Sequence, residues 1–214
     1  GMDFLLGEMR QLGYQSRFIP VGSMGGVLAA RRGECDLAGT HLMDEASGVY
    51  NEHLLTQGLK LVKGYRRGQG FIFREDDPRF QGFQESFQER FEEMLSDPEL
   101  RMINRNRGSG TRVLIDGLLG KHQPQGFLYE AKSHQAVAAA VAQSRADWGV
   151  AIRSVAEDQG LGFIPLQDEE YDFIIPESRL QKPAVQALIG LLDEKPIIER
   201  LEQMGLIRNP GKDR

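Results

Sequence analysis

The sequence predicts an α/β fold, and three observations carry the prediction. Two glycine- and hydroxyl-rich turns lead into helical stretches: Gly22-Ser23-Met24-Gly25-Gly26 and Arg107-Gly108-Ser109-Gly110-Thr111-Arg112. Two junctions, Glu34-Cys35-Asp36-Leu37-Ala38-Gly39 and Arg145-Ala146-Asp147-Trp148-Gly149-Val150, share one order: helix end, Asp, apolar, small or Gly. Strand-like and helix-like segments alternate along the chain, which argues for α/β layers with substantially parallel sheets.

Phe4 to Leu12 reads as an amphipathic helix with Leu5, Leu6, Met9 and Leu12 on one face, ended by Gly13. Phe18 to Val21 reads as an extended segment. The glycine turn and a helix from Val27 follow, with a stop at Gly33 and a strand from Cys35 to Thr40. Residues 43–58 are polar and irregular, with a short helix around Asn51 to Leu55. Leu59–Tyr65 and Gly70–Arg74 are two β-like runs separated by Arg66-Arg67-Gly68-Gln69. Phe83, Phe87 and Phe91 recur every four residues, the spacing of a buried helix face and not of a base-stacking platform.

An apolar step (Leu100, Met102, Ile103) precedes the second turn, and a helix begins at Val113. An Ala/Val helix lies within Ser133–Ser144 and a buried strand ends at Ile152. A short helix covers Ser154–Gly160, and strands cover Gly162–Leu166 and Tyr171–Pro176. Helices at Pro183–Asp193 and Pro196–Met204 carry proline in their first turns.

With 214 residues, 40% hydrophobic and 27% charged, the chain has room for one domain or two small lobes. A net charge of −5 speaks against nonspecific nucleic-acid binding but not against an anion pocket, which depends on local donors. No apolar run approaches the roughly 20 residues of a membrane span. The first residues lack a signal-peptide pattern, so the cytoplasm is the expected compartment. Cys35, the single cysteine, reads as a small core residue. The histidines at 41, 53, 122 and 134 lack metal-ligand spacing, and His53 and His122 sit in polar loops. Dinucleotide, P-loop and nucleophile-elbow signatures are all missing. No catalytic residue, metal or cofactor is therefore expected, and the chain reads as a binding module, not an enzyme.

The two turns carry the binding chemistry. The first N–H groups of a helix lack intrahelical partners and bear partial positive charge, so Ser23, Met24, Gly25, Gly26, Ser109, Gly110 and Thr111 can converge on an anion. Taken alone, a Ser before a helix is more often a cap, and it is the second such turn that favours the anion reading of Ser109. Arg107 and Arg112 either add charge or point to solvent. Thr40 and His41 stand at the C-terminal end of a strand, where α/β proteins bind ligands, though His41 also fits a satisfied edge histidine. Tyr171 either donates its hydroxyl to the ligand or packs. Asp147 is expected to orient the turn before Trp148.

Together the residues 21–26, 33–44, 104–112, 134–141 and 171–176 resemble the PBP-like domain of type II periplasmic-binding-protein fold. That domain is related to molybdate-binding proteins and LysR substrate-binding domains. The resemblance implies two lobes with a ligand cleft between them: residues 1–65 and 173–214 in lobe one and 66–172 in lobe two. It places Ser23 and Ser109 on opposite walls. Such domains open with a strand before the helix that matches Phe4–Leu12, so that first strand is expected to be missing here. The implied ligand is a small oxyanion, molybdate or tungstate, bound as a sensor or carrier in molybdenum-cofactor metabolism or regulation. Implied partners are a fused or associated DNA-binding or molybdopterin-biosynthesis domain, with a homodimer also allowed. The alternatives are a larger anion such as a molybdopterin precursor, contacted by Arg66–Gln69, and an interaction domain without a ligand.

Overall fold

The structure, a computed structural model, describes residues 1–44 and 46–209. The chain forms two compact units, Gly1–Arg67 with Glu169–Arg214, and Gly68–Asp168. Two 15-residue strands, β2 (Leu59–Phe73) and β6 (Gly162–Pro176), pass from one unit into the other. The sequence suggested two short strands in place of each, because polar residues interrupt the apolar runs. Those polar residues alternate in a continuous strand instead, Arg66 facing solvent while Arg67 turns inward. Gly64 explains the close approach of the strands: a Cβ there would lie 2.2 Å from the Tyr171 carbonyl oxygen.

In the first unit, α1 (Met2–Gln11) buries Leu5 and Met9. Leu12, expected on the same face, is the C-cap residue and 55% exposed, since the chain leaves the helix there toward Gly13 at φ +86°. Helix α2 (Gly22–Arg31) starts at the glycine turn itself, five residues earlier than expected. Gly22, at φ +72°, supplies the left-handed entry that a residue with a Cβ rarely adopts. Gly26 sits against β1 (Ala38–Thr40), its would-be Cβ 3.1 Å from that of Ala38. Phe18–Val21 forms no strand, and Phe18 and Ile19 are 51% and 57% exposed. Their β propensity meets no neighbouring strand to complete a ladder. Cys35 lies ahead of β1, half-buried beside the Val27 cluster, and burial raises its thiol pKa.

β1 pairs antiparallel with the second half of β6, and β7 (Leu206–Arg208), not foreseen in the sequence, pairs antiparallel with the middle of β2. Helices α7 (Pro183–Leu191) and α8 (Lys195–Gln203) keep their prolines in the first turn and close the core over Leu5, Tyr65, Phe173 and Ile175.

In the second unit, α3 spans Phe87–Leu95. Phe83 lies in the turn before it and not on the helix, because the chain has not yet entered the helix at that point. It is nonetheless buried with Phe87 and Phe91 around Phe71 and Trp148. β3 (Met102–Arg105) runs parallel to β4 (Glu130–Ala131) and β5 (Trp148–Ile152), with helices α4 (Gly110–Leu119) and α5 (His134–Ala142) as crossovers. β2 meets β5 antiparallel. The sheet is thus mixed and not substantially parallel: β1, β5 and β7 each pair antiparallel with one of the long strands. Helix α6 (Arg153–Asp158) follows β5. Asp147 orients the turn before Trp148 as expected, accepting from the Arg101 N–H at 2.8 Å and from Arg74 and Arg79 at 3.1 and 2.6 Å. No helix of the described residues is long and apolar enough to cross a membrane.

Candidate functional site

In the first unit the early start of α2 places Ser23 in its first turn, nearly buried, where Oγ accepts the backbone N–H of His41 at 3.3 Å. Met24 is exposed on the same turn, with Gly25 half-buried and Gly26 buried. Thr40 is fully buried and donates to Asn51 Oδ1 at 3.1 Å. Asn51 holds the loop after β1: its Oδ1 also accepts the Leu42 N–H at 2.8 Å, and its Nδ2 donates to Asp172 at 2.8 Å. Lys63 completes this network by donating to Glu170 at 2.9 Å and Asp172 at 3.2 Å. Thr40 is therefore a structural member of the loop anchor, its hydroxyl hydrogen directed to Asn51.

His41 follows β1 and is held on three sides. Its Nδ1 lies 3.1 Å from Glu169 Oε2, and its ring stacks on Tyr171 at 5.8 Å and 14°. Arg67 Nε donates to the other carboxylate oxygen, Glu169 Oε1, and its guanidinium lies 4.9 Å from the Tyr171 ring centroid. The Glu169 side chain is only 1% exposed. A buried carboxylate is costly unless paired, and Arg67 and His41 are among the side chains that flank this one. Burial is the largest influence on the Arg67 guanidinium and lowers its pKa, but the charge and hydrogen bond of Glu169 with smaller contributions from Tyr65 and Tyr171 together raise it overall. Tyr171 stacks on Tyr65 at 5.2 Å, and its hydroxyl lies over Gly39, where a Cβ would approach to 2.0 Å. Burial raises the pKa of both tyrosines, so each keeps its phenolic proton.

In the second unit α4 begins at Gly110, with Ser109 as its N-cap. Ser109 Oγ accepts the Arg112 N–H at 3.2 Å and donates to the Asn106 carbonyl at 3.0 Å, so the cap reading accounts for both of its bonds. Thr111 is fully buried, and its Oγ1 accepts from Arg105 Nη1 at 3.3 Å. The same Nη1 lies 3.2 Å from His134 Nδ1, at the start of α5. A buried guanidinium thus stands beside the first turns of two helices. The two arginines singled out in the sequence behave otherwise. Arg107 is 80% exposed with Glu130 at 4.0 Å. Arg112 is buried, but donates to Asp116 at 2.7 Å, to Glu130 at 2.9 Å and to the Arg105 carbonyl at 3.2 Å. It braces α4 against β4 in place of presenting its charge. His53 and His122 are exposed, as expected.

Glu169, Arg105, Asn51 and Asp172 were not foreseen as site residues, and Arg67 only within the Arg66–Gln69 contact of the larger-anion alternative. Arg67 had been placed in a loop, and its pairing with Glu169 joins two strands about a hundred residues apart, which no local pattern reports. Arg105 lies in the quoted Asn104–Arg112 run. The end of β3 one turn before α4 is the signal that marks it.

Compared with known proteins, the chain matches the PBP superfamily domain over residues 6–193. The chain belongs to the PBP superfamily. A relative of this superfamily member, the uncharacterized protein YvgK of Bacillus subtilis (strain 168), is 30% identical over 192 residues, covering 84% of this chain and 59% of the relative. The chain thus spans a little under three fifths of the length of that relative. Among solved structures, a phosphate ABC transporter substrate-binding protein with bound phosphate from Clostridium perfringens superposes with a TM-score of 0.64 at 15% identity, covering 88% of this chain and 85% of that one. A reduced form of OxyR from N. meningitidis gives a TM-score of 0.56 at 13% identity, covering 96% and 90%. At these identities the superpositions show the fold alone, and that fold is the PBP-like one that the sequence resembles, shared with LysR substrate-binding domains.

Proposed function

We propose that this PBP-superfamily domain binds a small tetrahedral oxyanion and acts as a sensor or carrier of it. The carrying observation is the buried Arg105 guanidinium set against Thr111 Oγ1 and His134 at the starts of α4 and α5. Neutral donors with one buried charge are the means by which proteins hold a desolvated oxyanion, and helix starts add partial positive charge. The proposed ligand-contacting groups, all in the second unit, are Thr111, the amide of Gly110 and Arg105. Arg107 and Arg112 are left out of this set on their positions.

Molybdate and tungstate are the candidates that the sequence resemblance names, and a structural neighbour carries phosphate. The chain spans 59% of its relative, so attachment to a further domain, regulatory or biosynthetic, belongs to the same proposal, as does a cytoplasmic setting. Isothermal titration with molybdate, tungstate, sulfate and phosphate tests the reading. Saturable binding of at least one anion, weakened by Arg105→Gln, is expected; silence toward all four overturns it. The larger-anion alternative draws no support from Arg67, whose guanidinium is engaged by Glu169 and Tyr171.

A further inference from the structure

We infer that the outer face of α2 is a self-association surface, on which a second copy of this chain packs its own α2 antiparallel across a two-fold axis. The inference lies wholly within the first unit and is independent of the oxyanion-binding reading above.

Burial divides α2 along its length. Ser23, Gly26, Val27 and Ala30 are buried at the spacing of one helix face, with Val27 and Ala30 packed beside Ala38 and Ile174. The opposite face carries Met24 and Leu28, 46% and 42% exposed, where a surface helix ordinarily presents polar residues. Val21, 54% exposed, belongs to the same face: a Cβ on Gly25 would lie 3.1 Å from the Val21 Cβ, so the valine lies over the first turn. Phe18 and Ile19 are exposed just ahead of the helix. Single apolar side chains at a surface need no explanation, but a contiguous patch on the order of a few hundred Å2 marks an interaction site.

This face is complementary to itself. Side chains at i, i+3, i+4 and i+7 line one stripe of a helix, which here reads Val21, Met24, Gly25, Leu28. A second α2 laid antiparallel about an axis between positions 24 and 25 sets Val21 of each copy against Leu28 of the other. The two Met24 side chains then meet at the axis, and the missing side chain of Gly25 lets the backbones approach. The charges that end the stripe are engaged within their own chain. Arg32 pairs with Glu34 at 2.7 and 2.8 Å, and Arg31 donates to the Leu54 carbonyl at 3.1 Å. An apolar stripe whose flanking charges are already met suits a partner with the same stripe better than an acidic one. A standard interface takes about 800 Å2 from each partner, more than five half-exposed side chains supply, so the pair is weak and concentration-dependent.

The test is sedimentation equilibrium of the full chain from about 10 μM to about 1 mM, the range of a weak complex. The weight-average mass should rise from that of one chain toward that of two. Leu28→Glu places a charge against Val21 of the second copy with no opposite charge to meet it, and should weaken association at least about tenfold. Its thermal melting should match the parent, because Leu28 is exposed in the single chain. A second variant reads the axis itself. In a Cys35→Ser background, Met24→Cys should form a disulfide-linked pair under mild oxidation at least about tenfold faster than Val113→Cys, since a disulfide needs Cα atoms within about 7 Å. Val113 is comparably exposed, at 52%, but lies in the second unit, away from the proposed axis. One chain at every concentration, a mass increase that survives Leu28→Glu, or equal rates at the two cysteines overturns the inference.

Discussion

Ser109 and Thr111 lie two residues apart in the same turn, and replacing them separately should give opposite phenotypes. Ser109 Oγ is engaged twice within the fold, accepting from Arg112 N at 3.2 Å and donating to Asn106 O at 3.0 Å. Ser109→Ala therefore removes a cap, which costs about 1 kcal/mol. For a protein of this size that lowers the melting temperature by roughly 2–4 °C. The change leaves Thr111 and Arg105 in place, so affinity for the anion should be unchanged. Thr111 Oγ1 accepts from Arg105 Nη1 at 3.3 Å, and its hydroxyl hydrogen has no acceptor among the described residues. Thr111→Val keeps the volume and removes that donor. A hydrogen bond to a charged ligand contributes on the order of 1.5–3 kcal/mol, so binding should weaken by about ten- to a hundredfold. Thermal melting and titration with phosphate and molybdate on the two variants separate the roles. Wild-type affinity in Thr111→Val, or a tenfold loss in Ser109→Ala at an unchanged melting temperature, would refute the assignment.

Three further outcomes follow from packing and charge. Phe87→Ala should destabilise the second unit by about 3–5 kcal/mol in urea unfolding, since its ring packs on Phe71, Phe83 and Phe91; a loss of ligand affinity at normal stability would reassign the aromatic cluster. Gly64→Ala should cost upward of about 1–3 kcal/mol by overpacking, because its Cβ would lie 2.2 Å from a backbone oxygen that cannot swing aside; a variant as stable as the parent would contradict that strand spacing. Hydrogen bonds from Arg79 lower the Asp77 carboxyl, and at Asp147 burial pushes up but the Arg101 N–H, Arg79 and Arg74 outweigh it. Carboxyls depressed in the folded state stabilise it above the unfolded value, about pH 3.9, and that stability is lost as pH falls through the lower folded value. The gap in urea midpoint between wild type and Asp147→Asn should be full near neutrality and close on acidification; a constant gap would show that the pairing is not electrostatic.

What the sequence revealed and what it concealed divide by range. The two donor-rich turns, the proline-started helices and the Asp147 junction are local, set by residues within a turn of one another, and they fold as read. The exceptions at this range concern where an element begins or ends. Gly22 takes the left-handed entry and brings Ser23 into α2, where composition placed a loop. Leu12 keeps the helical period but falls on the cap residue. Phe18–Val21 has the composition of a strand, yet ladder bonds come from a neighbour and no periodicity supplies one.

The electrostatic part of the site was hidden for a different reason. Glu169 meets His41 across 128 residues and Arg67 across 102. The Arg67 pairing depends on two long strands, and the His41 pairing on one of them, running unbroken through segments whose polar residues imitate turns. Alternation could have restored Arg67, since Arg66 and Arg67 must face opposite ways in a strand. It could not have restored Arg105, because β3 is covered on both faces and Asn104 and Arg105 are both buried. The choice among Arg105, Arg107 and Arg112 therefore turns on where each guanidinium lies. Arg107 stands in solvent, where water screens its charge. Arg112 spends its donors on Asp116, Glu130 and the Arg105 carbonyl, all of them inside the link from α4 to β4. Arg105 reaches Thr111 in the first turn of α4 and His134 at the first residue of α5. An anion held there would meet one buried charge and the partial positive charge of two helix starts at once, all within a low-dielectric setting that strengthens each attraction. That convergence, and not proximity to the glycine turn, singles out Arg105. It also orders the outcomes of charge removal: in titrations with phosphate and molybdate, Arg105→Gln should weaken anion binding, while Arg112→Gln should chiefly loosen the link from α4 to Glu130 and lower the melting temperature.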